Sequence, residues 1–185
     1  AQVVITLPVE SENLQQELLA QSLAGIQSAL EPQGARIVGG HTLESRSISP
    51  IPSSLGLQIS LCVNGILGVS QTPWEKGGLQ AGDVLLMSRS LGSGVLFAAA
   101  MVGRSTAEDL YAAILELSTS QHTIFESFLE IQKKNEYSHS IHACTDITGF
   151  GLLGHLGEML INTNSQRINT GLNPLRIKLE VNSIP

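Results

Sequence analysis

Cysteine is nearly absent. Cys62 and Cys144 are the only two in 185 residues, and they show no C-x-x-C spacing. That excludes a disulfide framework and makes a reducing cytoplasm the expected compartment. Aspartate is as scarce, with only Asp83, Asp109 and Asp146, so no complete multi-aspartate metal site can be assembled here. Lysine and arginine total 10 against 16 acidic residues, a net charge of −6, and no basic cluster exceeds Lys133-Lys134. A nucleic-acid partner is therefore not expected. No apolar run approaches the roughly 18–20 residues that cross a bilayer, so no membrane partner is expected either. The chain also lacks an initiator methionine and the basic n-region of a signal peptide. It opens on VVITL and closes on VNSIP, each strand-like, and it is expected to be an excised piece of a longer protein.

What is present is a globular composition, 42% hydrophobic with mean hydropathy +0.17, enough for one or two domains with a core. The run 3–7 is apolar and predicts a buried strand. Ser11 is a candidate N-cap for a helix carrying Leu14, Leu18, Leu23, Ile26 and Leu30, which Pro32 and Gly34 then stop. Residues 35–38 predict a second strand, and the Ser/Pro-rich stretch 46–54 a surface loop. Leu57, Ile59, Leu61 and Val63 alternate with Gln58, Ser60, Cys62 and Asn64, the pattern of a half-buried strand. Lys76-Gly77-Gly78 through Gly82 reads as a linker. Beyond it, strands are predicted at 83–88, 138–145 and 176–181, with helices from about 93 to 103, 106 to 117, 121 to 135 and 148 to 161. The tetrapeptide 106–109, TAED, is a capping box for the second of these. The expectation is a mixed α/β, α+β chain of two domains, 1–75 and 76–185, each with its own sheet.

Three stretches could carry chemistry. Residues 149–154, GFGLLG, match G-x-G-x-x-G between a predicted strand and helix, the setting of a dinucleotide-binding turn. Against this, Asp146 at the strand end would repel a pyrophosphate unless a cation intervened. A carboxylate there suits Mg²⁺ when phosphate supplies further oxygens, or it can cap the following helix. On that helix Leu152, Leu153, Leu156 and Leu160 form the expected apolar face, with Gly151, Gly154, His155 and Glu158 on another. Gly39-Gly40-His41-Thr42 ends a predicted strand and is either an anion-facing nest or a plain tight turn. Gly92-Ser93-Gly94 lacks a P-loop ending and reads as packing. His139 and His142, three apart on a strand, would face opposite sides and cannot share a metal. Cys144 reads as a structural thiol.

Residues 145–156, TDITGFGLLGHL, closely resemble the second-domain motif of the selenophosphate synthetase (selenide, water dikinase) family. The resemblance extends, in order and approximate spacing, to Gly39-Gly40-His41-Thr42, to Val63-Asn64-Gly65-Ile66, and to 81–96 with its AGD and SLGSGVL. It covers nearly the whole chain. It implies the aminoimidazole-ribonucleotide-synthetase-like architecture, with 1–75 completing an ATP-binding, dimer-forming domain and 76–185 opening an α+β C-terminal domain. It implies ATP and selenide as small-molecule substrates, giving selenophosphate, AMP and phosphate, with Mg²⁺ as cofactor and a homodimer as the assembly.

By that resemblance Asp146 is a Mg²⁺ ligand, and Gly39, Gly40, His41 and Thr42 contact ATP. One face of 57–63 would lie at the dimer barrel. The family's reactive Cys (or selenocysteine), its Lys and further metal-binding aspartates lie in an N-terminal segment outside these residues. Neither Cys62 nor Cys144 matches that nucleophile, and the chain alone is expected not to complete catalysis. The alternatives are another ATP-using enzyme of the superfamily, a non-catalytic dimerisation module, and a dinucleotide-binding module.

Overall fold

The computed structural model describes residues 1–45, 56–69, 71–133 and 141–185. The expected loop at 46–54, His139, Lys134 and the ends of the elements predicted at 121–135 and 138–145 fall wholly or partly outside those residues. The chain is a mixed α+β structure that divides into two units, Ala1–Ser70 and Gln71–Pro185.

In the first unit, β1 (Gln2–Leu7) is the central strand of a three-stranded sheet. It pairs in parallel with β2 (Gly39–Glu44) and antiparallel with β3 (Gln58–Cys62). Val3, Ile5 and Leu7 point to one face and are buried under Leu18, Leu19, Leu23 and Ile26 of helix α1 (Glu12–Leu30), with Ile37 beside them. Each buried aliphatic side chain of this kind contributes about 1.5–3 kcal/mol. Ser11 takes the N-cap position of α1, although its side chain makes no capping bond. A 3₁₀ turn at Glu31–Gln33 ends the helix, followed by Gly34 at φ +64°, a left-handed value that favours glycine.

The second strand lies four residues beyond its predicted start. The ladder begins only where Gly39 comes opposite Gln2. Residues 36–38 instead flank Ala1 through two single bonds, Ala1 N–H to Arg36 O and Val38 N–H to Ala1 O. The strand β3 also departs from expectation. Its Ile59 and Leu61 share the helix-side face with Ile5 and Val3, yet remain 46% and 45% exposed, because α1 covers only the centre of the sheet.

The second unit is helical. Helices α2 (Ser93–Met101), α3 (Ala107–Ser118), α4 (His122–Lys133) and α5 (Gly151–Asn169) are joined by extended segments. Thr106 caps α3: its Oγ1 accepts the Asp109 N–H at 3.0 Å. Trp74 packs on Phe125 and Phe128 of α4 and donates its indole N–H to Gln132.

No second sheet forms among the described residues. Among the described residues of the segments predicted as strands no ladder forms, and near one of them a helix side chain takes the backbone groups. Leu175 donates its N–H to Asn164 Oδ1 at 2.7 Å, and its C=O accepts from Asn164 Nδ2 at 3.1 Å, so a helix side chain replaces a neighbouring strand. Leu175, Ile177 and Leu179 still alternate inward, packing with Ala143 against Leu79, Leu156 and Met159. Val84 and Leu86, by contrast, are 82% and 78% exposed.

Lys76-Gly77-Gly78 is not a free linker. The Gly78 and Leu79 N–H groups both donate to Thr163 Oγ1 of α5, at 3.1 and 3.2 Å. Thr163, 2% exposed, donates in turn to the Met159 carbonyl. Gly78 has φ +109°, and a Cβ there would press on the His142 carbonyl. The helix α5 runs eight residues past its predicted end. The polar run 162–169 hid it, but Thr163 continues the buried stripe of Leu156 and Met159.

Candidate functional site

In the first unit, Gly39, Gly40, His41 and Thr42 line one hollow of about 300 Å³ together with Val3, Ile5, Leu23 and Ile37. The sequence placed these four on a turn; they are the first four residues of β2, because the strand starts later than its apolar run suggests. Gly40 sits opposite Val3 with extended backbone, and a Cβ there would overlap the Val3 carbonyl oxygen. Its identity is thus fixed by strand packing, whatever else it contacts. His41 and Thr42 are exposed, and the hollow is open for an occupant.

In the second unit, Asp146 lies in the extended segment before α5, exposed. It does not cap that helix: the N-cap position is Phe150, with no side-chain cap bond. The segment is held at two points. Cys144 donates its N–H to Glu75 O at 2.9 Å. Thr148 donates its N–H to Nε2 of His155 at 3.1 Å, and its carbonyl accepts the Gly151 N–H at 2.9 Å.

His155 is 5% exposed and packs with Leu156 and Met159. The expected division of the helix is therefore corrected. His155 belongs to the buried face, while Leu153 is 72% exposed, since the core follows positions 155, 156, 159 and 163. Gly154 is required by contact: a Cβ there would lie 2.6 Å from the Phe150 Cβ.

Lys76 Nζ bonds Glu158 Oε2 at 3.0 Å, with both groups half exposed. The bond to Glu158 holds Lys76 above its usual value; desolvation opposes this, and the charges of Glu158 and Asp146 add to it. Cys144 is pushed up by burial first and by the Asp146 charge second, so its thiol stays protonated near neutrality. These shifts place Asp146 within electrostatic reach of both.

Sequence reading missed Lys76, assigned to a linker, and His155, assigned to the wrong face. The 155/159/163 spacing was the signal available for the latter. Asp83 accepts from Gln80 N–H and pairs with His142 at 2.8 Å.

No group of three or more His, Cys, Asp or Glu able to hold a metal occurs among the described residues. No hydrogen-bonded strand directly precedes the G-x-G-x-x-G at 149–154 among the described residues. A cavity of about 410 Å³ beside the start of α2 is lined by Asp109 and Glu116, and Ser90 N–H is already bound to Glu116. Arg89 lines the same cavity along with the two carboxylates.

Residues 80–181 match the family model described as AIR synthase related protein, C-terminal domain. The chain belongs to the AIR synthase related family. Asp146, His155 and α5 all fall within the matched C-terminal domain. The relatives of this AIR synthase related chain include proteins named selenide, water dikinase. That of Trichlorobacter lovleyi is 36% identical over 151 residues, 82% of this chain and 38% of the relative. That of Porphyromonas gingivalis is 34% identical over 149 residues, 80% and 38%. That of Paraburkholderia xenovorans is 31% identical over 164 residues, 89% and 41%. The chain thus spans about two fifths of the length of these relatives. No solved structure matches. No helix among the described residues is long and apolar enough to cross a membrane.

Proposed function

We propose that this chain is part of a cytoplasmic selenide, water dikinase, which converts ATP, selenide and water to selenophosphate, AMP and phosphate. The observation that carries the reading is the presentation of Asp146. Its carboxylate stands exposed on a segment anchored on both sides, within a motif that resembles the family's. The names of the relatives support the substrate assignment.

In this reading 1–75 contributes to the ATP-binding domain and 76–185 to the C-terminal domain. Asp146 would be this chain's carboxylate ligand to a Mg²⁺ ion. Bound there, the ion neutralises charge that develops on the transferred phosphoryl groups. The chain's own part is to aim the carboxylate, keep Lys76 protonated beside it, and offer the β2 hollow, with His41 and Thr42, to ATP. Nucleophilic Cys and Lys groups would come from outside these residues. Ile59 and Leu61, apolar and exposed on β3, support the homodimer.

In the full-length protein, Asp146→Asn removes the charge while keeping the shape. It should abolish Mg²⁺-dependent, selenide-dependent AMP formation while the circular dichroism spectrum is unchanged. Turnover at the wild-type rate would overturn the assignment of Asp146.

A further inference from the structure

His155 has one ring nitrogen engaged and one idle. Its Nε2 accepts the Thr148 N–H at 3.1 Å, which puts the ring proton on Nδ1. That buried Nδ1 makes no hydrogen bond; Glu158 Oε2, the paired acidic oxygen, is 3.9 Å away and bound to Lys76. A buried ring kept with one donor unsatisfied must be held there by its other contacts. The Phe150 ring, 6.1 Å from the imidazole, closes the turn over it.

The consequence falls on Asp146. Cys144 N–H fixes one end of the stretch 145–147, and Thr148 fixes the other. The Thr148 anchor is supplied by a side chain seven residues ahead on α5. We propose that His155 is a positioning residue for Asp146, fixing the backbone of the carboxylate-bearing segment by accepting the Thr148 N–H. This rests on the reading of Asp146 as a Mg²⁺ ligand. The role belongs to Nε2 alone, so an acceptor at that position should suffice, whereas a group mimicking only Nδ1 should not.

The test uses three variants of the full-length protein: His155→Gln, whose amide reaches the Nε2 position, His155→Asn, which reaches only Nδ1, and His155→Leu. Amide exchange of 145–150 should quicken by roughly tenfold in the Asn and Leu variants and stay near wild type in Gln. The Mg²⁺ concentration giving half-maximal ATP turnover should rise by about an order of magnitude in the same two variants, with the saturated rate little changed. Exchange in His155→Leu matching wild type, or His155→Gln behaving like Leu, would overturn the proposal. So would loss of fold in all three variants, since the ring would then be packing alone. Absence of Mg²⁺-dependent turnover in the wild-type protein would instead remove the Mg²⁺ reading, and the exchange comparison would still judge the anchor.

Discussion

Replacing Thr163 by Val keeps the β-branched shape and removes one oxygen. In the structure that oxygen accepts the N–H groups of Gly78 and Leu79, at 3.1 and 3.2 Å, and is 2% exposed with its residue. After the change both amides lose their acceptor. A buried donor left unsatisfied costs about 1–3 kcal/mol. The Leu79 bond is buried and takes the upper part of that range; the Gly78 bond is only part-buried and takes the lower. Losing the donation to Met159 O is milder, because that carbonyl keeps its place in the helix. The sum is about 2–4 kcal/mol of lost stability. Thr163→Ser keeps the oxygen and gives up one methyl, about 1 kcal/mol. The expected order is therefore wild type, then Ser, then Val, whereas hydrophobicity alone would put Val first. Urea unfolding of the three proteins measures it, and amide exchange at Gly78 and Leu79 locates it. A Val variant within about 0.5 kcal/mol of wild type would refute the hub assigned to this hydroxyl.

Gly40→Ala should destabilise by about 1–3 kcal/mol or more, because its Cβ overlaps a backbone oxygen, Val3 O, that cannot swing aside. A thermal midpoint unchanged from wild type would show that β1 and β2 do not approach so closely. Cys144 should alkylate slowly near neutrality and faster as pH rises, since burial and then the Asp146 charge push its thiol up. In a Cys62→Ser background, Asp146→Asn removes a charge that disfavours the thiolate, so alkylation at fixed pH should accelerate. A slower or equal rate would contradict their proximity.

Much of the first unit was legible because short-range rules govern it. A nearly continuous apolar run gave β1, and the Leu/Ile spacing with Pro32 and Gly34 gave α1 and its stop. The start of β2 was not legible: it depends on where Gln2 lies, which is a matter of register rather than composition. In the second unit the capping box placed α3 directly. The strands failed because an apolar stretch signals burial, whereas a ladder needs a partner; around Leu175 the partner is Asn164. Asp146 was singled out by its motif, but its structural setting was not legible. Lys76 and Glu158 lie 82 positions apart, and no local pattern joins them.

The place of β1 in its sheet also bears on how the chain is made. β1 is synthesised before both of its partners and is the centre of the sheet, and its antiparallel partner begins roughly fifty residues later, at Gln58. At 5–20 residues per second the ribosome takes about 3–10 s to deliver that partner. During this interval Val3, Ile5 and Leu7 can be covered by α1, but one edge of β1 stays open. A nascent chain in that state offers a single apolar strand edge to any neighbouring polypeptide, so the yield of folded protein should depend on chaperone supply during synthesis more than on the final stability of the sheet.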